Sequence, residues 1–268
     1  MPAVLFEKRG HTAWITLNRP EAKNTLNAES FVLLRDAWQT VRNDDEIRVA
    51  VLTGAGDEDF CCGGDLGGVI PLWTGAKQPE NDIERELLAD MFIVAKCMMQ
   101  DQPLYKPIIG AFNGRALGGG CEIMLATDIR VAAEHAVFGV PEPKSGLVPG
   151  GGTMVRLARQ ISYANAMKMM LTAQAITAQE AKEIGLISDV VPLAQLQTRA
   201  EQLADTIVAN APLSMTAIKK TVLDSHTLEW AAAFQVEMEH CATVMGSKDA
   251  REGPRAFKEK RKPNFTGK

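Results

Sequence analysis

The chain opens on two apolar stretches, Val4-Leu5-Phe6 and Trp14-Ile15-Thr16-Leu17, on either side of Gly10, a spacing that predicts a β-hairpin. Asn27 then precedes apolar residues at Phe31, Leu34, Trp38 and Val41, the three-and-four period of a helix with a side-chain N-cap. Val49-Ala50-Val51-Leu52 is apolar throughout and stops at Gly54-Ala55-Gly56, as a strand buried on both faces would. Strand, helix and strand in this order predict parallel pairing through a crossover. Over residues 63–79 glycine is frequent and no period holds, which predicts a long functional loop or an irregular helix. Ile83, Leu87, Met91, Val94 and Met98 mark one long amphipathic helix. Residues 107–112 read as a second buried strand running straight into Asn113-Gly114 and Gly118-Gly119-Gly120, and residues 129–133 and 136–139 as two more short strands. After Gly150-Gly151-Gly152, helices alternate with turns; Thr177 and Glu180 have capping-box spacing, and Gly185 is placed to close that helix. Beyond Leu193 the pattern is helical, through Leu196, Ala200, Leu203 and Ile207, a start at Pro212, and residues 228–245. The division predicted is an α/β body over residues 1–195 and a helical region over 196–268 that packs on the body or on a partner subunit.

Composition narrows the class of protein. At 268 residues with 46% hydrophobic and 23% charged side chains, the chain is an ordinary globular one. A fold of this size buries about 75% of its unfolded surface, so it needs neither a disulfide nor a structural metal. With 29 basic and 33 acidic side chains the formal charge is −4, which argues against a general nucleic-acid partner. No window approaches the roughly 18 apolar residues of a membrane span, and the first residues lack the form of a targeting leader, so no membrane association is expected. Five cysteines, with Cys61 and Cys62 adjacent, fit reduced thiols in a cytoplasmic compartment.

Several chemistries are absent from the sequence. There is no phosphate-binding G-x-x-x-x-G-K-[ST] loop, no H-E-x-x-H, no G-x-S-x-G and no C-x-x-C, and the four histidines are scattered, so no zinc site is expected. Cys61 and Cys62 have no histidine or other base adjacent in sequence and read as small packed residues rather than nucleophiles. Two glycine constellations remain, residues 60–66 and 113–122, each following a buried strand. Glycine at such points lets a backbone N–H face a ligand with no side chain in the way, although tight strand–helix turns would explain either run singly. Glu122 falls in the first turn of the helix that the second run opens, where dipole complementarity alone would account for it. Glu142, between Pro141 and Pro143, is a carboxylate held rigidly at the end of a strand. Read together, these features are two N–H donors that polarise a carbonyl and two carboxylates that move protons beside it.

These residues resemble the crotonase (enoyl-CoA hydratase/isomerase) superfamily. The resemblance rests on F-x-x-G-x-D-L at residues 60–66, N-G-x-A-L-G-G-G-C-E at 113–122 and F-G-x-P-E at 138–142. Asn18-Arg19-Pro20 with Asn24 and Leu26, Gly146-Leu147-Val148-Pro149 with Gly151-Gly152-Thr153, and residues 252–261 extend it over the whole chain. It implies an α/β spiral of ββα units with a C-terminal helical trimerisation region, and a homotrimer or a hexamer built as a dimer of trimers. It implies a substrate carried as a coenzyme A thioester, with no prosthetic group. By motif position it places the oxyanion-hole N–H groups at Gly64 and Gly119, the acid–base pair at Glu122 and Glu142, and the adenine end of CoA on the backbone around Gly64, Asp65 and Leu66. Having both acids favours hydration of an enoyl-CoA; isomerisation, other dehydratase or hydrolase chemistry, or a silent CoA-ester binder or RNA-associated scaffold on the same fold are the alternatives. Gly64 stands where alanine is more usual, Gly67-Gly68 where many relatives carry a polar residue, and the 69–80 segment, which would line the acyl pocket, is not the common version. The basic end over residues 258–262 reads as a solvated face, with contact to CoA phosphates as its second reading.

Overall fold

A computed structural model of the chain describes residues 1–90 and 92–268. The hairpin consists of β1 (Val4–Arg9) and β2 (Thr12–Leu17), paired antiparallel. Helix α1 (Ala28–Asn43) comes next, capped by the Asn27 side chain, which accepts the Ser30 N–H. From there the chain repeats one unit: a strand, a corner, a second short strand, then helix. The first unit is β3 (Val49–Gly54) and β4 (Asp59–Cys61) with α2 (Val69–Thr74), α3 (Asp82–Ala89) and α4 (Phe92–Cys97). The second is β5 (Ile108–Phe112) and β6 (Arg115–Leu117) with α5 (Gly119–Met124), and the third β7 (Ile129–Ala133) and β8 (Val137–Gly139) with α6 (Thr153–Gln160) and α7 (Tyr163–Thr172). Then come β9 (Ile176–Thr177), α8 (Ala178–Glu183) and β10 (Asp189–Val191), and finally α9 (Leu193–Val208), α10 (Pro212–Ser225), α11 (Trp230–Met245) and α12 (Asp249–Lys258). The capping box at Thr177 and Glu180 is formed, and Gly185 lies just beyond α8 in the left-handed conformation.

The first strand of each unit enters one sheet of order β1-β2-β3-β5-β7-β10, and the second enters another of order β4-β6-β8-β9. The successive units pair in parallel in both sheets. The chain therefore winds as a spiral of ββα turns, as the resemblance implies. Its corners come close enough to need special residues. Asn113 accepts the Gly54 N–H at 3.1 Å and donates to the Gly56 and Asp59 carbonyls at 2.7 and 3.0 Å, supplying the bonds that the bend withdraws from the ladder. Between the sheets Phe60, Phe112 and Phe138 pack edge to face in series, with centroids 4.8 and 5.7 Å apart.

Short α5 is buried along its whole length and held at its far end by Arg130. That guanidinium is buried and donates to the Thr127 and Leu186 carbonyls at 2.9 Å and to the Gln160 Oε1 at 2.8 Å, with a longer bond to the Leu125 carbonyl. A cation among the last carbonyls of a helix complements its dipole. Burial pulls its pKa down to about 10, which leaves it charged at neutral pH.

One expectation fails. The single helix through Ile83, Leu87, Val94 and Met98 is two helices, α3 and α4, and Met91 lies outside the described residues. Asp90 is extended (φ −112°, ψ 90°) and its carboxylate accepts the Phe92 N–H at 2.9 Å and the Lys96 ammonium at 3.0 Å, so it caps a new helix instead of continuing the old one.

Helix α9 covers the outer face of the larger sheet, where Leu196, Ala200, Ala204 and Ile207 meet Trp14, Val51, Ile109 and Val131. Helices α10 and α11 have no buried residue and expose Ile218, Val222, Trp230, Phe234 and Met238. The last residues fold back: Asp249 accepts the Thr266 and Gly267 N–H groups at 2.8 Å, and Arg48 donates to the Phe265 carbonyl at 2.9 Å. Within the basic end Arg261 is engaged by Glu252 and Glu259 rather than free. Among the described residues no helix is long and apolar enough to cross a membrane.

Contact between α5 and β4 depends on one missing side chain. A methyl group on Gly120 would lie 2.1 Å from the Cys61 carbonyl oxygen. Since that obstacle is backbone, Gly120→Ala is expected to cost about 3 kcal/mol or more, at the top of the overpacking range; urea unfolding that moves by less than 1 kcal/mol would show that the two elements can part.

Candidate active site

The two glycine runs meet. A methyl group on Gly119 would lie 3.5 Å from the Gly63 Cα and 3.6 Å from the Gly64 amide nitrogen, and one on Gly63 would lie 3.2 Å from the Gly119 nitrogen. Gly63 (φ +92°) and Gly118 (φ +53°) hold backbone conformations open mainly to glycine, and each immediately precedes a candidate donor. Among the described residues neither the Gly64 nor the Gly119 N–H bonds to a protein acceptor. The orientation of the first is nevertheless defined. The Gly63 carbonyl accepts the Leu26 N–H at 2.8 Å, and in a trans peptide the Gly64 N–H points the opposite way.

Both acids stand beside these glycines. Glu122 is on α5, three residues after Gly119, and its side chain is buried. Its Oε1 accepts the Gly151 N–H at 2.5 Å, with the Thr153 hydroxyl at 3.4 Å. Burial first, and the neighbouring Glu142 charge second, lift its pKa to about 7, against the lowering effect of Gly151 and Thr153. Glu142 opens a 3-10 turn over Glu142–Ser145 directly after Pro141. Its Oε1 would touch a methyl group on Gly118 at 2.9 Å, and its Oε2 is buried with no hydrogen-bond partner among the described residues. Burial raises this carboxyl too. Two unpaired N–H donors, an unpaired carboxyl oxygen and a carboxyl poised near neutrality therefore share one site. Such a group can stabilise an oxygen that gains negative charge while a proton moves on or off a neighbouring atom.

The side chain of Asp65 does not face this space. One oxygen accepts both fork nitrogens of Arg19 at 3.1 Å, and the other accepts the Gly67 and Gly68 N–H groups at 3.0 Å. Leu66 is 73% exposed. In the 69–80 segment α2 lays Val69 and Ile70 against the bend, with the Ile70 Cδ1 3.4 Å from where a methyl group on Gly64 would be, and Trp73 leans edge-on against Phe31 at 5.4 Å. Cys61 and Cys62 are pushed up to about 12 by burial, and Cys62 donates to Asp59 at 3.1 Å, which makes neither a thiolate at neutral pH. Among the described residues no group of three or more His, Cys, Asp or Glu could hold a metal ion. Reading the sequence missed the groups that hold the site: Gly151 and Thr153 around Glu122, and Arg19 on Asp65. All three stand in motifs visible along the chain, but nothing local assigns them a partner.

Known proteins resemble this chain over its full length. The family model described as enoyl-CoA hydratase/isomerase matches residues 7–268. The enoyl-CoA hydratase EchA19 of Mycobacterium tuberculosis is 44% identical over 98% of this chain and 96% of its own. An (E)-benzylidenesuccinyl-CoA hydratase of Thauera aromatica is 39% identical over 100% of both chains. The crystal structure of an enoyl-CoA hydratase from Bacillus anthracis superposes with a TM-score of 0.90 at 33% identity, covering 99% of this chain and 100% of that one.

The raised carboxyl carries a stability signature. Because the Glu122 pKa rises from 4.5 to about 7 on folding, the native state holds more protons than the unfolded chain between those values. Stability therefore falls as pH rises through that window and levels off above it. Glu122→Gln removes the penalty and is expected to unfold later in urea at pH 8, by on the order of 2–3 kcal/mol, with little gain at pH 4.5. Equal gains at both pH values would mean that ionisation of this group is not the source.

Proposed function

This chain belongs to the enoyl-CoA hydratase/isomerase family, and from that premise we propose that it adds water across the C2=C3 bond of enoyl-CoA thioesters without a prosthetic group. The thioester oxygen sits between the Gly64 and Gly119 N–H groups. Water bonds to C3 and passes a proton to Glu122; the C2=C3 π pair shifts toward the carbonyl, and the resulting enolate takes a proton at C2 from Glu142. The acids then exchange the gained and lost proton with one another or with solvent. Charge reaches the carbonyl oxygen only as the bond to C3 forms, so the amides stabilise the transition state more than the bound substrate. Removal of one such donor typically costs about 3–4 kcal/mol of barrier. The ionised Glu122 cannot serve in that place, because it repels the oxyanion, and the Glu142 proton is committed to C2.

The observation that carries this reading is the pair itself. Hydration needs one carboxylate and one carboxylic acid at the same moment, and burial raises both carboxyls, Glu122 to about 7 with the neighbouring Glu142 charge adding to its rise. The unpartnered Glu142 Oε2 has an acceptor or donor to gain only from what enters the site. The backbone around Gly64, Asp65 and Leu66 receives the adenine end of CoA, while the Asp65 carboxylate is taken by Arg19 and the Gly67 and Gly68 amides. Val69 and Ile70 lie where an acyl group would begin.

The same reading extends to assembly and location. The apolar faces of α10 and α11 have no cover among the described residues and suit burial between copies in a homotrimer or in a hexamer of two trimers. Five free cysteines, three of them buried, suit the reducing cytoplasm.

Crotonyl-CoA, followed at the absorbance of its conjugated thioester, tests the reaction. Wild-type protein should consume it, and Glu122→Gln and Glu142→Gln should each slow turnover by about 10²- to 10⁴-fold; full activity in either variant removes that residue from the acid–base pair. Light scattering after gel filtration should give the mass of three or six chains, and a monomer would leave the α10 and α11 faces without their proposed role.

A further inference from the structure

We infer that Arg19 and Asp65 are positioning residues for the Gly64 oxyanion donor: their ion pair locks the peptide plane that aims this N–H. The inference rests on the proposed role of Gly64.

Leu26 clips the chain on both sides of Gly64: its N–H donates to the Gly63 carbonyl at 2.8 Å and its carbonyl accepts the Asp65 N–H at 2.9 Å. The Gly63 carbonyl and the Gly64 N–H belong to one rigid peptide unit, so whatever holds Leu26 holds the donor. Gly63, at φ +92°, has no side chain to resist rotation, and the restraint must come from outside.

Arg19 supplies it. Its Nη1 donates to the Thr25 carbonyl at 2.7 Å, one residue before Leu26, and both fork nitrogens reach the Asp65 Oδ2 at 3.1 Å, one residue after Gly64. One guanidinium therefore ties the two strands of the clip together. Asn24 fixes the other end of the same loop, accepting the Arg19 N–H at 2.8 Å and donating to the Ala55 and Asp59 carbonyls at 2.9 and 2.8 Å. Lys23 and Asn24 take left-handed backbone conformations (φ 56° and 52°), a strain this loop holds only because so many bonds determine it.

Asp65 also secures the start of α2. Its Oδ1 accepts the Gly67 and Gly68 N–H groups, and its carbonyl accepts those of Gly68, Val69 and Ile70 at 3.0–3.2 Å. These bonds place Val69 and Ile70, which pack over Gly64. The pair is about one-fifth exposed on both sides, so solvent weakens it without dissolving it. Its effect is on the direction of a neighbouring N–H, and oxyanion stabilisation is sensitive to that direction.

The test uses Arg19→Met, Asp65→Asn and the double variant, with Arg19→Lys as the conservative control. Asp65→Asn retains an acceptor for Gly67 and Gly68 while losing the charge pair, so it stays informative should Arg19→Met fold poorly. Two readouts are taken: kcat and KM with crotonyl-CoA, and the absorbance of a bound para-amino-substituted arylpropenoyl-CoA, whose band moves to longer wavelength when its carbonyl accepts hydrogen bonds. The expectation is a kcat lowered by about 10- to 100-fold with KM within about threefold, a reduced red shift of the bound probe, partial rescue in Arg19→Lys, and a double variant no worse than the singles. Variants with wild-type kcat and full red shift overturn the inference, as does a loss confined to KM, which would make the pair part of CoA binding instead. Wild-type protein that leaves crotonyl-CoA and other enoyl-CoA thioesters unchanged would sink the proposed hydration itself, a separate result from an active enzyme indifferent to these substitutions.

Discussion

A protein interior satisfies its polar groups, and this one withholds satisfaction where the two glycine runs meet. The Gly64 and Gly119 N–H groups and the Glu142 Oε2 have no protein partner among the described residues, and Glu122 is buried at a pKa near neutrality. Each such group costs about 1–3 kcal/mol if left desolvated and unpaired. They also lie against one another, and like charges resist being buried together. A cluster of this kind persists only where the neighbouring structure leaves its members nowhere else to go.

The spiral provides that confinement by bringing backbone against backbone. The corner between β5 and β6 lies so close to β4 that a methyl group on Gly114 would sit 1.9 Å from the Glu58 carbonyl oxygen, and α5 meets β4 just as tightly at Gly120. These contacts have no flexible side chain to absorb movement. Asn113, Asn24 and the Arg115 fork on Asp59, with bonds of 2.6 and 2.9 Å, then fill the hydrogen bonds lost where the strands turn. The site is rigid because the surrounding shell is over-bonded.

Where a local pattern carries the physics, reading the sequence sufficed. The apolar runs became β3 and β5, Asn27 became a cap, the Thr177 and Glu180 spacing became a capping box, and the two glycine runs did come together. The break at Asp90 escaped notice because the apolar period runs on through it; what ends the helix is a carboxylate that prefers to cap the next one. Nor could the sequence reveal that Gly151 grips Glu122 from 29 positions away, since the requirement is the absence of a side chain: a methyl group there would stand 2.5 Å from the Glu122 Oε2. Asp65 is the converse case. The motif assigned its backbone to CoA and said nothing of its carboxylate, which the fold gives to Arg19 and two glycine amides.

The engagement of Asp65 bears on how such a site could change its substrate without losing its chemistry. The groups that meet at the bend are backbone amides, with Leu26 and the Arg19–Asp65 pair on either side of Gly64, and two acids, one gripped by Gly151 and one on the proline-flanked turn at Glu142. None of these restraints passes through the exposed side of α2. Ile70 packs over Gly64 at ordinary van der Waals distance, 3.4 Å from its Cδ1 to a built methyl group, while Trp73 leans on Phe31. The space beside the bend can therefore be reshaped by α2 side chains while the peptide plane that aims the donor stays fixed.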